Sequence, residues 1–157
     1  MKFEIIFKEA RSFTLECKDA GIYQLEEEYE IYLDNKLADK TNKIVHTING
    51  LKPDTEYKVF IKKGEEVSEP VVLHTDYESY TLNVRDFGAL GDGKRDDTGS
   101  IQAAIYSCPK DGRVLVPKGI YKITSLFMKS DLRFELEEGA VLSAITEREK
   151  FPVLPGL

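Results

Sequence analysis

The chain of 157 residues has no tryptophan, two histidines, two cysteines and two methionines. Each scarcity excludes something. Cys17 and Cys108 stand far apart, with no clustered partners, so a cysteine-based zinc site is absent. Two reduced, half-buried thiols in different domains are expected instead of a disulfide. Basic residues are in the minority, 22 against 28 acidic, giving a net charge of -6. That excludes a nucleic-acid binder held by phosphate contacts, and it disfavours docking to an anionic membrane. Long apolar runs are also missing, the longest being of the order of Val114-Leu115-Val116, so nothing is expected to span a bilayer. The first residues, Met1-Lys2-Phe3-Glu4-Ile5-Ile6-Phe7-Lys8, alternate and carry charge, unlike a signal peptide. The compartment reads as cytoplasmic as written, or extracellular if Met1 is not the natural start.

What is present is 41% apolar and 32% charged, an ordinary balance for a folded protein. Charge divides unevenly. Residues 1–76 hold 11 basic and 16 acidic residues, whereas 77–157 hold 11 and 12. Between them Thr75-Asp76-Tyr77-Glu78-Ser79-Tyr80 has neither a helical nor a strand period and reads as a linker. Two domains are therefore expected, 1–76 and 77–157.

The first half alternates with period 2. Phe3, Ile5 and Phe7 share one face, then Phe13, Leu15 and Cys17, then Tyr29, Ile31 and Leu33, followed by strands at 44–48, 57–61 and 71–73. Turn signals separate them at Asp19-Ala20-Gly21, Asp34-Asn35, Asn49-Gly50, Lys52-Pro53-Asp54 and Lys63-Gly64. About seven short strands predict a small antiparallel sandwich. Leu51-Lys52-Pro53-Asp54-Thr55-Glu56-Tyr57 adds a specific device. A tyrosine at the start of such a strand can return its hydroxyl to the backbone of the preceding corner. This spacing resembles the tyrosine corner of fibronectin type III domains, without the tryptophan many of them carry.

The second half opens on Val84-Arg85-Asp86, read as a short strand, and a glycine-rich acidic loop through Asp97. A helix at about 97–108 follows, with Ile101, Ala104, Ile105 and Cys108 as its apolar stripe and Asp96 or Asp97 as N-cap. Short strands come next, at 112–117, 120–123, 125–128, 132–136 and 140–142. Phe87-Gly88-Ala89, Gly91-Asp92-Gly93, Asp96-Asp97-Thr98 and Ile101-Gln102-Ala103-Ala104-Ile105 together resemble the N-terminal cap of pectin-degrading right-handed parallel β-helices. Val114 and Leu136, 22 residues apart, are spaced like one coil. Val116-Pro117-Lys118-Gly119-Ile120-Tyr121 and the stretch from Leu126 to Leu142 are similar to early coils of polygalacturonases of glycoside hydrolase family 28.

The fold expectation is thus mainly β: a fibronectin type III-like sandwich, then the helix-capped first coils of a right-handed parallel β-helix, truncated. The resemblance implies a hydrolase that cleaves α-1,4-galacturonosyl bonds of pectin with inversion, using one carboxylic acid and a water-activating carboxylate. Family 28 carries these on an Asn-Thr-Asp strand, an Asp-Asp pair, a Gly-His-Gly turn and an Arg-Ile-Lys strand. The sequence has no Asn-Thr-Asp, Gly-His-Gly or Arg-Ile-Lys, and its Asp96-Asp97 lies in the cap motif. No catalytic, substrate-binding or metal residue and no cofactor is therefore assigned to this chain, which is expected to be inactive alone. Pectin or oligogalacturonide would be met by downstream coils, and the open end of the solenoid could pair with another copy. The alternatives are a tailspike-like or carbohydrate-binding β-helix with a fibronectin-like adaptor, or a polysaccharide lyase.

Other signals have bland readings. Asp92, Asp96 and Asp97 lack the alternate spacing of a calcium loop, and Gly88, Gly91 and Gly93 lack the lysine of a phosphate loop. Turn and cap duty accounts for both sets. His46 should face out if Val45 faces in, and His74 ends a strand. Glu26-Glu27-Glu28 reads as a solvated loop. Tyr23, Tyr29, Tyr32, Tyr77 and Tyr80 could stack on sugars, though core and linker packing is the commoner use. Lys118, Lys122, Lys129 and Arg133 could meet a polyanion, though solvated charge is the commoner use.

Overall fold

A computed structural model describes residues 1–18 and 23–153. The turn expected at Asp19-Ala20-Gly21 and the residues after Val153 lie outside the described residues. Contacts divide the chain into two units, Met1–Tyr77 and Glu78–Leu157. No helix or strand crosses 75–80.

In the first unit, β1 (Phe3–Lys8), β2 (Ser12–Cys17) and β5 (Val45–Asn49) form one antiparallel sheet, in the order β1-β2-β5. The second sheet holds β4 (Lys36–Lys43), β3 (Gln24–Leu33), β6 (Glu56–Lys63) and β7 (Glu66–Val67) in that order, with β8 (Val71–His74) also paired to β6. Phe13, Leu15, Tyr29, Ile31, Val59 and Ile61 are fully buried between the sheets, the outcome that alternation at period 2 dictates. Burial also pushes the Tyr29 phenol well above its ordinary pKa, while its hydroxyl donates to the Lys43 carbonyl at 2.8 Å.

The structure departs from the alternation in four places. A bulge between Ile5 and Phe7 breaks the face of β1, so Phe7, expected inside, is 57% exposed. Strand β4 was not foreseen, because Lys-Leu-Ala-Asp-Lys-Thr-Asn-Lys has almost no apolar face. It forms because Asp34 and Asn35 both take positive φ, 47° and 66°, closing a tight hairpin onto β3. Glu26-Glu27-Glu28 lies within β3 and not in a loop. Val45 faces out while His46 is half-buried, with Nε2 2.9 Å from Asp39 Oδ2, the reverse of the expected facing. The hydrogen bond from His46 holds the Asp39 carboxyl below the usual range.

The tyrosine corner is present. The Lys52 amide donates to Tyr57 Oη at 3.0 Å, above a buried Leu51. Thr75, nearly fully buried, ties the same corner by donating to the Lys52 carbonyl at 2.7 Å and accepting from the Thr55 amide at 2.9 Å. Tyr57→Phe removes one neutral hydrogen bond near solvent and is expected to cost about 1 kcal/mol. Urea unfolding of the chain measures it, and an unchanged midpoint would deny the corner an energetic role.

In the second unit, β9 (Thr81–Asn83), β11 (Gly112–Val116) and β13 (Leu132–Leu136) stack in parallel, as do β10 (Asp92–Asp96), β12 (Gly119–Ile123) and β14 (Ala140–Ala144). This is the stacking of parallel β-helix coils. Val114 pairs with Phe134 and Tyr121 with Leu142, so the repeat is set by register at 20 and 21 residues, and Leu136 sits opposite Val116, not Val114. Helix α1 (Thr98–Ser107) buries Ile101, Ala104 and Ile105, with Cys108 at its end, against Val84, Val114, Val116 and Tyr121. Neither cysteine is in a disulfide, and both are fully buried rather than half-buried.

The second unit also departs from its sequence pattern where the chain is polar. Val84–Phe87 is a 3-10 turn and not a strand, because the Asn83 side chain accepts from the Arg85 amide and Gly88 turns left-handed at φ 94°. The acidic loop contains β10, whose residues Asp-Gly-Lys-Arg-Asp show no apolar period. Residues 125–128 form no strand. A side chain takes the place of a neighbouring strand there: Gln102 on α1 donates to the Phe127 carbonyl at 2.9 Å and accepts from its amide at 2.8 Å.

Candidate functional site

The glycine-rich acidic segment is the richest cluster of polar chemistry in the second unit, and its carboxylates are all committed to backbone. Asp92 accepts from the Lys94 and Arg95 amides at 2.8 and 3.0 Å, which lowers its pKa. Asp97 holds the N-cap position of α1 without a side-chain cap bond, and Asp96 before it accepts from the Thr98 amide at 3.0 Å. Bonds from Thr98 lower its pKa as well. Asp97 is buried and faces the other way: Oδ1 accepts from the Leu90 amide at 2.8 Å and Oδ2 from the Gly91 amide at 3.0 Å. Neighbours in sequence, the two carboxylates serve different loops and do not face one another across a cleft as a general acid and base would. Among the described residues no group of three His, Cys, Asp or Glu could hold a metal ion.

Arg85 closes the same loop from outside. Its guanidinium donates to the Leu90 carbonyl at 3.1 Å and the Lys118 carbonyl at 2.9 Å, and lies 5.9 Å from the centre of the Tyr121 ring. Tyr121 is fully buried, and its hydroxyl donates to the Pro117 carbonyl at 2.8 Å. Gly91, at φ 63°, stands where a side chain would run into that ring. Arg85, Asp97 and Tyr121 thus fix the cap loop to the first coils.

The four basic residues that sequence singled out do not share one face or one task. Lys129 donates to the Tyr106 and Cys108 carbonyls at 3.0 and 2.5 Å, closing the C-terminal end of α1, where its charge is favourable. Lys118 offers its carbonyl to Arg85. Arg133 pairs in register with Arg113, which bridges rungs by reaching Thr81 Oγ1 and both oxygens of Glu135 at 3.2 Å. Lys122 lines a recess of about 120 Å³, together with Lys94, Ile145, Thr146, Glu147 and Lys150. Sequence patterning does not single out Lys94 and Lys150, each 28 positions from Lys122; β10 and β12 lie side by side, and the turn after β14 adds Lys150.

The remaining candidates have structural work. Tyr29 is core, and Tyr32 stacks on Phe60 at 4.9 Å between ring centres, so those two ring faces are already used. Tyr23, Tyr77 and Tyr80 are exposed rather than packed. His74 ends β8, with Nδ1 3.0 Å from the Thr75 carbonyl. No helix among the described residues is long and apolar enough to cross a membrane.

Comparison with known proteins follows this architecture. Residues 81–132 match a family described as rhamnogalacturonase A/epimerase, pectate lyase-like. The exo-poly-alpha-D-galacturonosidase of Dickeya chrysanthemi is 32% identical over 111 residues, 67% of this chain and 18% of that protein. The plasmin and fibronectin-binding protein A of Streptococcus pneumoniae is 35% identical over 82 residues, 50% of this chain and 11% of that one. The structure of a family 28 exopolygalacturonase from Yersinia enterocolitica aligns with a TM-score of 0.64 and 27% identity, covering 92% of this chain and 32% of that one. The chain spans less than a fifth of the length of these two curated relatives.

Proposed function

We propose that this polygalacturonase-like chain of glycoside hydrolase family 28 is the N-terminal part of an enzyme that hydrolyses α-1,4-galacturonosyl bonds of pectin with inversion. The observation that carries the reading is the capped stack of in-register parallel strands, aligned over 92% of the chain with a family 28 exopolygalacturonase. The second unit would start the solenoid on which the catalytic coils stack. The first unit, with its tyrosine corner and its two sheets, reads as a fibronectin type III-like domain spanning residues 1–76 and set ahead of that solenoid.

Inverting hydrolysis needs two carboxyl groups roughly 6.5–9.5 Å apart across the scissile bond. Asp96 and Asp97 are bound to backbone amides of the cap, which supports assigning catalysis to residues outside this chain. The test is release of reducing ends from polygalacturonate by the protein of the complete reading frame, with residues 1–157 as control. Activity in the first and silence in the second is expected. An unsaturated product would mark a lyase and overturn the hydrolase assignment. No turnover, with an open frame lacking the four family motifs, would leave the alternative of a tailspike-like or carbohydrate-binding β-helix, a binding role like that in the pneumococcal relative's name.

Strands β13 and β14 are outermost in their sheets among the described residues, and Leu136 and Val141 are exposed there. Self-association through this edge is expected. Sedimentation of residues 1–157 should show concentration-dependent dimers that Val141→Lys abolishes; a monomer at all concentrations would exclude the contact.

A further inference from the structure

The recess beside Lys122 is unusual in a chain of net charge -6. Three lysines line it, with one carboxylate. Lys94 comes from β10, Lys122 from β12 and Lys150 from the turn that follows β14. Strands β10 and β12 are neighbours about 4.8 Å apart in one parallel sheet, and Lys94 and Lys122 line the same recess. Lys122 spends one of its three donors on Ser143 Oγ at 3.0 Å and keeps the others. Lys94 makes no side-chain hydrogen bond among the described residues. The buried Ile145 and the exposed Thr146 also line the recess.

One carboxylate is already there. Glu147 lies 3.2 Å from Lys150, so the chain itself shows the chemistry that the recess accepts. Asp92 feels the charge of Lys94 and Asp96 that of Lys150, but both carboxylates accept from backbone amides, and Glu147 is the carboxylate that lines the recess. A volume near 120 Å³ takes a carboxylate with part of the ring that bears it.

We propose that Lys94, Lys122 and Lys150 form an anion site that holds one uronate carboxylate of an acidic polysaccharide, with Glu147 as the internal group that it displaces. The inference rests on the pectin reading for the source of the carboxylate, and on the lysines alone for its charge. It places a polymer contact on the starting coils, away from any catalytic carboxylate. Charge attraction at an exposed site is screened by salt, so binding should weaken steeply between low and high ionic strength.

The test is affinity electrophoresis of residues 1–157 in gels holding polygalacturonate, methyl-esterified pectin or no polymer. Retardation by polygalacturonate alone is expected, with at least a fivefold loss of affinity in the Lys94→Gln/Lys122→Gln variant and none in Lys36→Gln, which removes a charge elsewhere. Glu147→Gln should tighten binding, while Glu65→Gln should not. No retardation, or retardation unchanged in the double variant, overturns the site. Competition by inorganic phosphate as effective as that by trigalacturonate overturns the uronate assignment, leaving a site for free anions. Binding is read without turnover, so the two readings fail separately. A complete protein that binds but releases no reducing ends defeats the hydrolase reading alone. One that hydrolyses while the double variant binds unchanged defeats this site alone.

Discussion

Gly91→Ala is expected to lower the stability of the second unit by about 3 kcal/mol, because strain and overlap add at one position. Gly91 has φ 63°, where an alanine pays about 1 kcal/mol or more for the left-handed backbone. An added Cβ would also stand 2.7 Å from Tyr121 Cζ and 2.9 Å from Cε1. The ring cannot withdraw. It is fully buried, anchored through its hydroxyl to the Pro117 carbonyl, and lies beneath Arg85. Overpacking of this kind costs typically 1–3 kcal/mol. Urea unfolding followed by circular dichroism measures the sum. Cys108 gives a local reading: it is buried, and burial pushes its thiol pKa up, so it should resist alkylation until the cap opens. A loss below 1 kcal/mol with Cys108 still protected would show that the loop relaxes around the methyl group.

Asp97→Ala is expected to cost a similar amount, about 3 kcal/mol, by a different route. The side chain is 1% exposed and both oxygens accept backbone amides, from Leu90 and Gly91. Its removal leaves two half-buried amide donors without their acceptors, each worth about 1–3 kcal/mol. Asp97→Asn separates hydrogen bonding from space. An amide keeps the shape but has one oxygen, so it retains one bond and turns an NH2 group toward the other donor. The order of stability should be wild type, then Asn, then Ala. Equal loss in both variants would mean that the paired acceptance, and not the volume, carries the whole effect. Wild-type stability in Asn would sink the two-acceptor account.

These two residues show what sequence could and could not reveal. The apolar stripe Ile101, Ala104, Ile105 and Cys108 was legible because a helix buries one face at a fixed period, and all four are buried. Leu51 and Tyr57 were legible because a corner needs both at that spacing. Strands β4 and β10 were not, since each is held by backbone pairing to a neighbour and presents mostly polar side chains. The segment 125–128 looked like a strand from its apolar run, yet Gln102 satisfies its backbone from a helix distant in sequence. The sequence points to Asp96 or Asp97 as the helix cap because aspartate before a helix commonly is one, and Asp97 does hold that position. The reach of its oxygens back to Leu90 and Gly91 depends on a loop path that no local pattern encodes. The lysine recess was hidden for the same reason, as its members meet only when rungs stack.

The second unit has ends of unlike character. At one, α1 and the loop pinned by Asp97 and Arg85 are packed onto the core; at the other, β13 and β14 each have a neighbour on one side only among the described residues. A stack of this kind behaves as a one-dimensional lattice in which each rung is stabilised by the one before it. Blocking one terminus removes half of the starting points and gives propagation a direction. Because synthesis delivers the blocked terminus first, order can spread in the sense in which the ribosome supplies chain, each new rung templated by its predecessor. The cap is then a primer, and its integrity sets the phase of every later turn.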